Sequence, residues 1–369
     1  MEAEVLLRRL WMEDFRNHAS TELTFPRGLT VVTGANGEGK TNILEAIGYL
    51  AALKSFRGAA VDVMVREGRS SAVLRAELES GERRRLIEAQ LVVGGRSRVQ
   101  VDRQPLKRAR DLLGVLRVVV FSPDDLVLIK GGPGERRRFL DDVLVSLRPR
   151  NVALRADLER ILRQRNTLLR QAGARPDPMT LGTLDVWDEK LAEVGAALVA
   201  ARRELTERLL PHVRAHYGVL ARTDAHIELV YESLWEEQGL AAALRAAREE
   251  DLRRRVTTVG PHRDELVVTL GGLPARSHGS QGEQRSLVLA LRLATRELIT
   301  EEVGSTPVVL LDDVLSELDG ERARRLMGCL TAAQTILTSA TGTLPPGTEP
   351  AAFYEVVNGT VSTPRPRGE

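Results

Sequence analysis

Hydrophobic positions in the first third of the chain recur with the period of strands. TELTFP, AVLRAEL, RRRLIEAQLVV and RVQV alternate apolar and polar residues, while LTVVT and LRVVVF run apolar between turns. From about residue 130 to 255 the period becomes helical. Leu154, Leu158, Ile161 and Leu168 share one face, as do Leu191, Val194, Leu198, Ala201, Leu205 and Leu209. QAGARPDPMTLGTL, with its prolines and glycines, predicts a break between them. The result is a helical hairpin roughly 25 to 35 Å long. From about 256 sheet is expected again in VTTVG and LVVTLGG, followed by a helix from Ser280 and an apolar strand over Val308–Leu311. The pattern predicts an α/β chain in three stretches: a sheet-rich lobe over 1–128, a helical arm over 129–255, and a return to the first lobe's core over 256–369. The tail TPRPRGE is expected to be unstructured.

Between the strand LTVVT and the helix NILEAIGYL lies GANGEGKT, residues 34 to 41. Gly34, four residues, Gly39, Lys40 and Thr41 fit the P-loop pattern, in the strand, loop, helix order it requires. Glycines let backbone N–H groups turn toward an anion, and the helix N-terminus adds its positive dipole end. Lys40 is expected to reach the β- and γ-phosphates of a nucleotide and Thr41 to ligate Mg²⁺. The required acidic partner stands in PVVLLDDVLSELD. Val308–Leu311 reads as a parallel strand buried on both faces, which leaves Asp312 at its C-terminal end as a metal ligand. Asp313 is placed to polarise an attacking water. The helix opening at Ser280 offers a hydroxyl, Gly282 and unpaired N–H groups, a second anion site.

Composition adds limits. The 369 residues, 43% hydrophobic and 28% charged, suit a soluble protein with a large core. No apolar run is long enough to span a bilayer and MEAEVLLRRLWMEDF lacks the features of a leader, so a cytoplasmic protein with no membrane partner is expected. Cys329 reads as core filler. The net charge is only +2, but it is unevenly spread. Residues 130 to 176 carry twelve basic against five acidic residues, and residues 81 to 111 nine against four. Such stripes suit a phosphate backbone. Arg136, Arg137 and Arg138 are the expected DNA contacts, with Arg57 after the P-loop helix placed to touch either DNA phosphate or the nucleotide. Aromatic content of 4% argues against base stacking and for duplex or gapped DNA held by its phosphates.

The order of P-loop, long insertion, Ser-x-Gly-x-Gln helix start, apolar strand with Asp312-Asp313, and then Ser316-Glu317-Leu318-Asp319 is similar to the ABC-type ATPases. FRNH at 15 to 18, GANGEGKTNILEAI at 34 to 47, KSFRG at 54 to 58, FSPDDL at 121 to 126, GERRRFLD at 134 to 141, GPHRDEL at 260 to 266 and GSQGEQRSLVLALRLA at 279 to 294 resemble the RecF family of bacterial recombination mediators, which are related to SMC heads. The likeness runs from about residue 5 to 340. It implies an ABC-type ATPase head with ATP and Mg²⁺ as cofactors. ATP would be held by Gly34, Ala35, Asn36, Gly37, Glu38, Gly39, Lys40, Thr41 and Asn42, with Arg16 and Asn17 nearby. Ser280, Gly282 and Gln284 would act on the ATP of a second subunit, giving an ATP-dependent head-to-tail homodimer. It further implies weak, DNA-dependent ATP hydrolysis and recombinase loading at gaps with RecO and RecR. Lys40, Ser280, Asp312 and Asp313 would form the catalytic set.

Some positions depart from the wider ABC pattern. Thr338 stands near the usual switch histidine, FSPDDL occupies the Q-loop place without a glutamine, and Asp313 replaces a longer glutamate. Slow turnover is consistent with all three. Gln281 and Glu283 receive no role, and His262 is read either as closing a turn after Gly-Pro or as functional. The competing readings are the nucleotide-binding subunit of a transporter and a DNA scaffold that binds ATP without using its hydrolysis.

Overall fold

The computed structural model describes residues 4–172 and 176–363, so most of the tail expected to be unstructured lies outside the described residues. The chain divides into two compact units. One comprises Met1–Asp125, Ala215–Thr223 and Val288–Glu369, the other Leu126–Arg214 and Asp224–Leu287. In chain order the strands begin with β1 (Val5–Phe15), β2 (His18–Thr24), β3 (Leu29–Thr33), β4 (Ser71–Ser80) and β5 (Arg83–Val92). They continue with β6 (Arg98–Val101), β7 (Gln104–Pro105), β8 (Val118–Phe121), β9 (Ile227–Glu232) and β10 (Glu265–Leu270). The last are β11 (Leu273–Pro274), β12 (Val308–Asp312), β13 (Thr335–Ser339), β14 (Ala352–Val357) and β15 (Thr360–Ser362).

The first unit holds two sheets, ordered β2-β1-β4-β5-β6-β7 and β15-β14-β3-β13-β12-β8. The former is antiparallel, and its β4 sends Ala72, Leu74, Ala76 and Leu78 inward while the intervening residues stay partly exposed. The latter is parallel except for the β14–β15 hairpin. Its strands β3, β12 and β13 are buried at every residue, as unbroken apolar and β-branched runs require. The P-loop helix, Lys40–Ala52, contacts strands of both sheets and buries Ile43, Leu44, Ile47 and Leu50 between them. Each such side chain contributes about 1.5–3 kcal/mol when fully buried. The core therefore anchors the helix, and its first turn is left for chemistry.

The second unit carries the helices Pro133–Leu147, Val152–Gln171 and most of Pro178–Ala221, with the antiparallel sheet β11-β10-β9. Two expectations are corrected here. The arm's second limb is 44 residues long, about 66 Å at 1.5 Å per residue, because the break ends earlier than expected. Asp177 Oδ1 accepts from the N–H groups of Met179 and Thr180, both at 2.9 Å, and Pro178 tolerates the first helical position. MTLGTL is thus helical. The segment 256–287, expected with the ATPase lobe, belongs to the second unit. Its VTTVG is not a strand. The Thr257 N–H donates to Asn166 Oδ1 and that of Thr258 to Asp251 Oδ1, each at 2.8 Å, so side chains take the place of a ladder. Among the described residues no helix is long and apolar enough to cross a membrane.

Candidate functional site

The P-loop follows β3 directly. Gly34, Gly37 and Gly39 have φ of +149°, +87° and +114°, in the region that favours glycine. A Cβ on Gly34 would stand 2.3 Å from the Val356 carbonyl oxygen, and one on Gly39 would stand 2.5 Å from Asn17 Oδ1. Lys40, 6% exposed, donates from Nζ to the carbonyls of Gly34 and Ala35 at 2.7 and 2.8 Å. Ala35, Asn36 and Gly37 form an exposed tip.

The FRNH turn supports this loop from behind. Asn17 Nδ2 donates to the Glu38 carbonyl at 2.8 Å, and Asn42 Nδ2 donates to Asn17 Oδ1 at 2.8 Å. His18, fully buried, pairs Nε2 with the Gly39 carbonyl at 3.0 Å and Nδ1 with Thr21 Oγ1 at 3.0 Å. Burial lowers its pKa, which keeps the ring neutral. Arg16 grips Glu45 through two bonds of 2.7 Å and also donates to the Val63 carbonyl. Arg16, Asn17 and Asn42, with Asp62, Val63 and Arg66, line an open cleft of about 850 Å³ beside the loop. A third brace was missed from sequence. The Gly359 N–H donates to the Glu38 carbonyl at 3.0 Å and the Asn358 N–H to the Glu38 carboxylate. The Asn-Gly pair between two strand-like runs was the available signal, since both residues need φ > 0.

The Asp312 carboxylate and the P-loop come together. Thr41 Oγ1 donates to Asp312 Oδ1 at 2.7 Å, joining the first turn of the P-loop helix to the end of β12. Burial raises the pKa of Asp312, opposed by the hydrogen bonds from Thr41 and Thr338. Thr338, paired with Asp312 in the β12–β13 register, donates from Oγ1 to Asp312 Oδ1 at 2.9 Å and accepts from the Asp313 N–H at 3.0 Å. Asp313 is held in the left-handed region, φ +50°. Arg57 is exposed, and its charge acts on Asp312. FSPDDL follows β8, the neighbour of β12, where Asp125 accepts from Arg292 Nε at 3.0 Å.

In the second unit Ser280 caps the helix Gln281–Val303 with a partner that the sequence analysis left without a role. Ser280 Oγ accepts from the Glu283 N–H at 3.3 Å while Glu283 Oε2 accepts from the Ser280 N–H at 2.8 Å, a reciprocal capping box. Ser280 through Glu283 spell Ser-x-x-Glu, the signal for such a box. Gly282 lies in the first turn, and its carbonyl accepts from Ser286 Oγ. Gln284 is corrected. It is 3% exposed and donates from Nε2 to the carbonyls of Ala275 and Arg276 at 2.9 and 3.1 Å, so its amide is taken up in fixing the preceding turn.

Of the expected DNA contacts, Arg136 is also corrected. It is 7% exposed, forms two bonds of 2.8 Å with Glu265 and donates to the Gly131 carbonyl, which leaves no face for a phosphate. Arg137 is half-buried and donates to the Asp264 carbonyl. Arg138 is exposed and paired with Glu135. His262 Nε2 pairs with the Thr257 carbonyl at 3.0 Å, and burial lowers its pKa to about 4, in line with a turn-closing role. Cys329 is half-buried, and burial raises its pKa.

A parallel sheet carrying a P-loop, an acid on the second strand over and an added antiparallel sheet define an ABC-type ATPase head. The family model described as RecF/RecN/SMC N terminal domain matches residues 6–346. A protein called DNA replication and repair protein RecF, from Streptomyces avermitilis, is 44% identical over 95% of this chain and 98% of its own length. Another of that name, from Acidothermus cellulolyticus, is 44% identical over 90% of this chain and 93% of its own. A solved structure of the recombination mediator protein RecF with ATP, in the RecFOR pathway, is 29% identical with a TM-score of 0.91 over 99% of both chains. The chain belongs to the RecF family. An Smc head from Pyrococcus furiosus shares the fold at 16% identity and a TM-score of 0.57 over 97% of this chain and 95% of its own. Membership sets the transporter alternative aside.

Proposed function

We propose that this chain is an ATP-dependent DNA-binding protein of recombinational repair and replication, whose ATP state controls a head-to-tail pairing of two copies. The reading rests above all on the 2.7 Å bond between Thr41 and Asp312, which brings the P-loop hydroxyl and the strand-end carboxylate to one point. That pair would hold Mg²⁺, which would supply neutralisation of the charge on the phosphates. The backbone of residues 34–39 and the dipole of the P-loop helix hold the phosphate chain, Lys40 adds a point charge, and the cleft beside Asn17 and Asn42 takes the nucleoside. Asp313 orients the attacking water, and its short reach and backbone clamp favour slow turnover. Ser280 and Gly282 complete the site of a second copy. DNA, RecO and RecR are the partners, a reading supported by the likeness to a DNA replication and repair protein and to a RecF of the RecFOR pathway.

The test is molar mass in solution by light scattering, with and without Mg-ATP, for the natural chain and Asp313→Asn. A mass rising from 40.6 kDa to about twice that only with ATP, and persisting longer in the variant, is expected. An unchanged mass would remove the ATP-driven pairing.

A further inference from the structure

Arg136 is buried in its stripe, whereas the other basic stripe keeps its cations at the surface. Residues 81 to 111 form β5, β6, β7 and their turns, at the free edge of the antiparallel sheet. All nine of their cations are exposed. Elsewhere in this sheet arginines are matched by carboxylates on neighbouring strands. Arg8 pairs with Glu79 at 2.6 Å, and Arg75 pairs with Glu13 at 2.7 Å and also with Glu88. In the stripe, among the described residues, only Arg84 has an ion pair, with Glu77 at 3.5 Å. The charge there is left for something outside the chain.

The cations gather at two places. Arg83 and Arg85 open β5, where Ser80 pairs with Arg83 and Leu78 with Arg85. Arg103 lies beside them, because Asp102 bonds to Leu86 through both its backbone N–H and its carboxylate. Arg98 and Lys107 lie at the other end of β6, where the Leu106 N–H donates to the Val99 carbonyl. At about 3.3 Å per residue β6 separates the two places by about 10 Å, which faces on the order of six phosphate charges of a duplex. Arg103 carries a second mark. It has φ +65° in a two-residue turn whose backbone favours glycine or asparagine. Asp102, at φ +52°, is held by its bond to Leu86, whereas among the described residues no side-chain hydrogen bond or ion pair of Arg103 offsets that conformation. Protection of a sheet edge accounts for a charge or two beside β7, not for Arg83 and Arg85 at the start of β5. No Phe, Tyr or Trp occurs from 81 to 111, so bases have no stacking platform.

We infer that this arginine lip on the first unit docks the phosphate backbone of double-stranded DNA. The inference rests on the DNA-binding reading above and specifies its surface. It is tested on the full chain by the fluorescence anisotropy of a labelled duplex across a salt series, comparing the natural protein with Arg83→Gln/Arg85→Gln/Arg103→Gln. Binding of a fluorescent ATP analogue and the melting temperature serve as controls, and both are expected to be unchanged. Duplex affinity should fall at least tenfold at low salt. The slope of log K against log salt should lose about 2.7, at roughly 0.9 for each phosphate contact removed. A folded variant with the affinity and slope of the natural protein would overturn the lip while leaving DNA binding intact. A labelled single strand that loses as much affinity and slope in the variant as the duplex does would overturn the assignment to double-stranded DNA. A natural protein that binds no duplex with or without ATP would overturn both the lip and the reading beneath it.

Discussion

Thr338 shows how much one hydroxyl can organise. It donates to Asp312 and accepts from the Asp313 N–H, so it orients the carboxylate proposed to hold the metal and holds the next residue in its left-handed turn. Thr338→Val keeps the shape and removes both bonds. ATP turnover should fall roughly tenfold, the scale of one hydrogen bond to a charged group. Loss of a donor also adds to the effect of burial on Asp312, raising its pKa further, so the acid limb of the rate profile should move to higher pH and more Mg²⁺ should be needed. Thr338→Ser should restore both. A valine variant with lower turnover but an unmoved pH profile would assign Thr338 to packing alone. Sequence shows Thr338 only as a departure from a histidine pattern, because its partners come from another strand. Arg136, Arg137 and Arg138 show the reverse limit. They read as one charge run, but successive residues on a helix point about 100° apart, and here one is buried, one half-buried and one exposed.

At the scale of elements, the phosphate loop and the strand ending in Asp312 were legible because each is local, a glycine pattern between two periodicities and an apolar run with an acid at its end. The arm was legible in kind but not in extent. Its long helix is fixed by a buried arginine that no periodicity marks. Arg202, 2% exposed, meets both Asp141 oxygens at 2.8 and 2.9 Å and donates to Tyr231 Oη and the Pro261 carbonyl. Arg202→Ala leaves Asp141 buried and uncompensated, a loss of about 3–5 kcal/mol. Urea unfolding followed by circular dichroism should show an early transition, in which helix is lost before the two sheets of the first unit. A single transition at the natural midpoint would mean that water or a neighbouring group replaces the guanidinium.

At the scale of the whole molecule, the proposed mechanism places half of each site on a second copy. Ser280 is exposed and lies within a capping box whose loss leaves the helix body intact. Ser280→Arg should therefore leave ATP affinity per chain unchanged, within about twofold, while abolishing the mass increase with Mg-ATP. Normal pairing by this variant would assign the serine to capping only. The same scale limits what sequence can show, because residues far apart in the chain brace the phosphate loop. Glu38 is held by Asn358, 320 positions later, and β14 pairs in register with β3, the strand that launches the loop. A ribosome adding about 5–20 residues per second needs tens of seconds to deliver that brace after the loop itself has been made. The growing polypeptide thus carries its nucleotide cradle unfinished through most of synthesis, and a chain cut short by a stalled ribosome lacks the clasp on its phosphate loop.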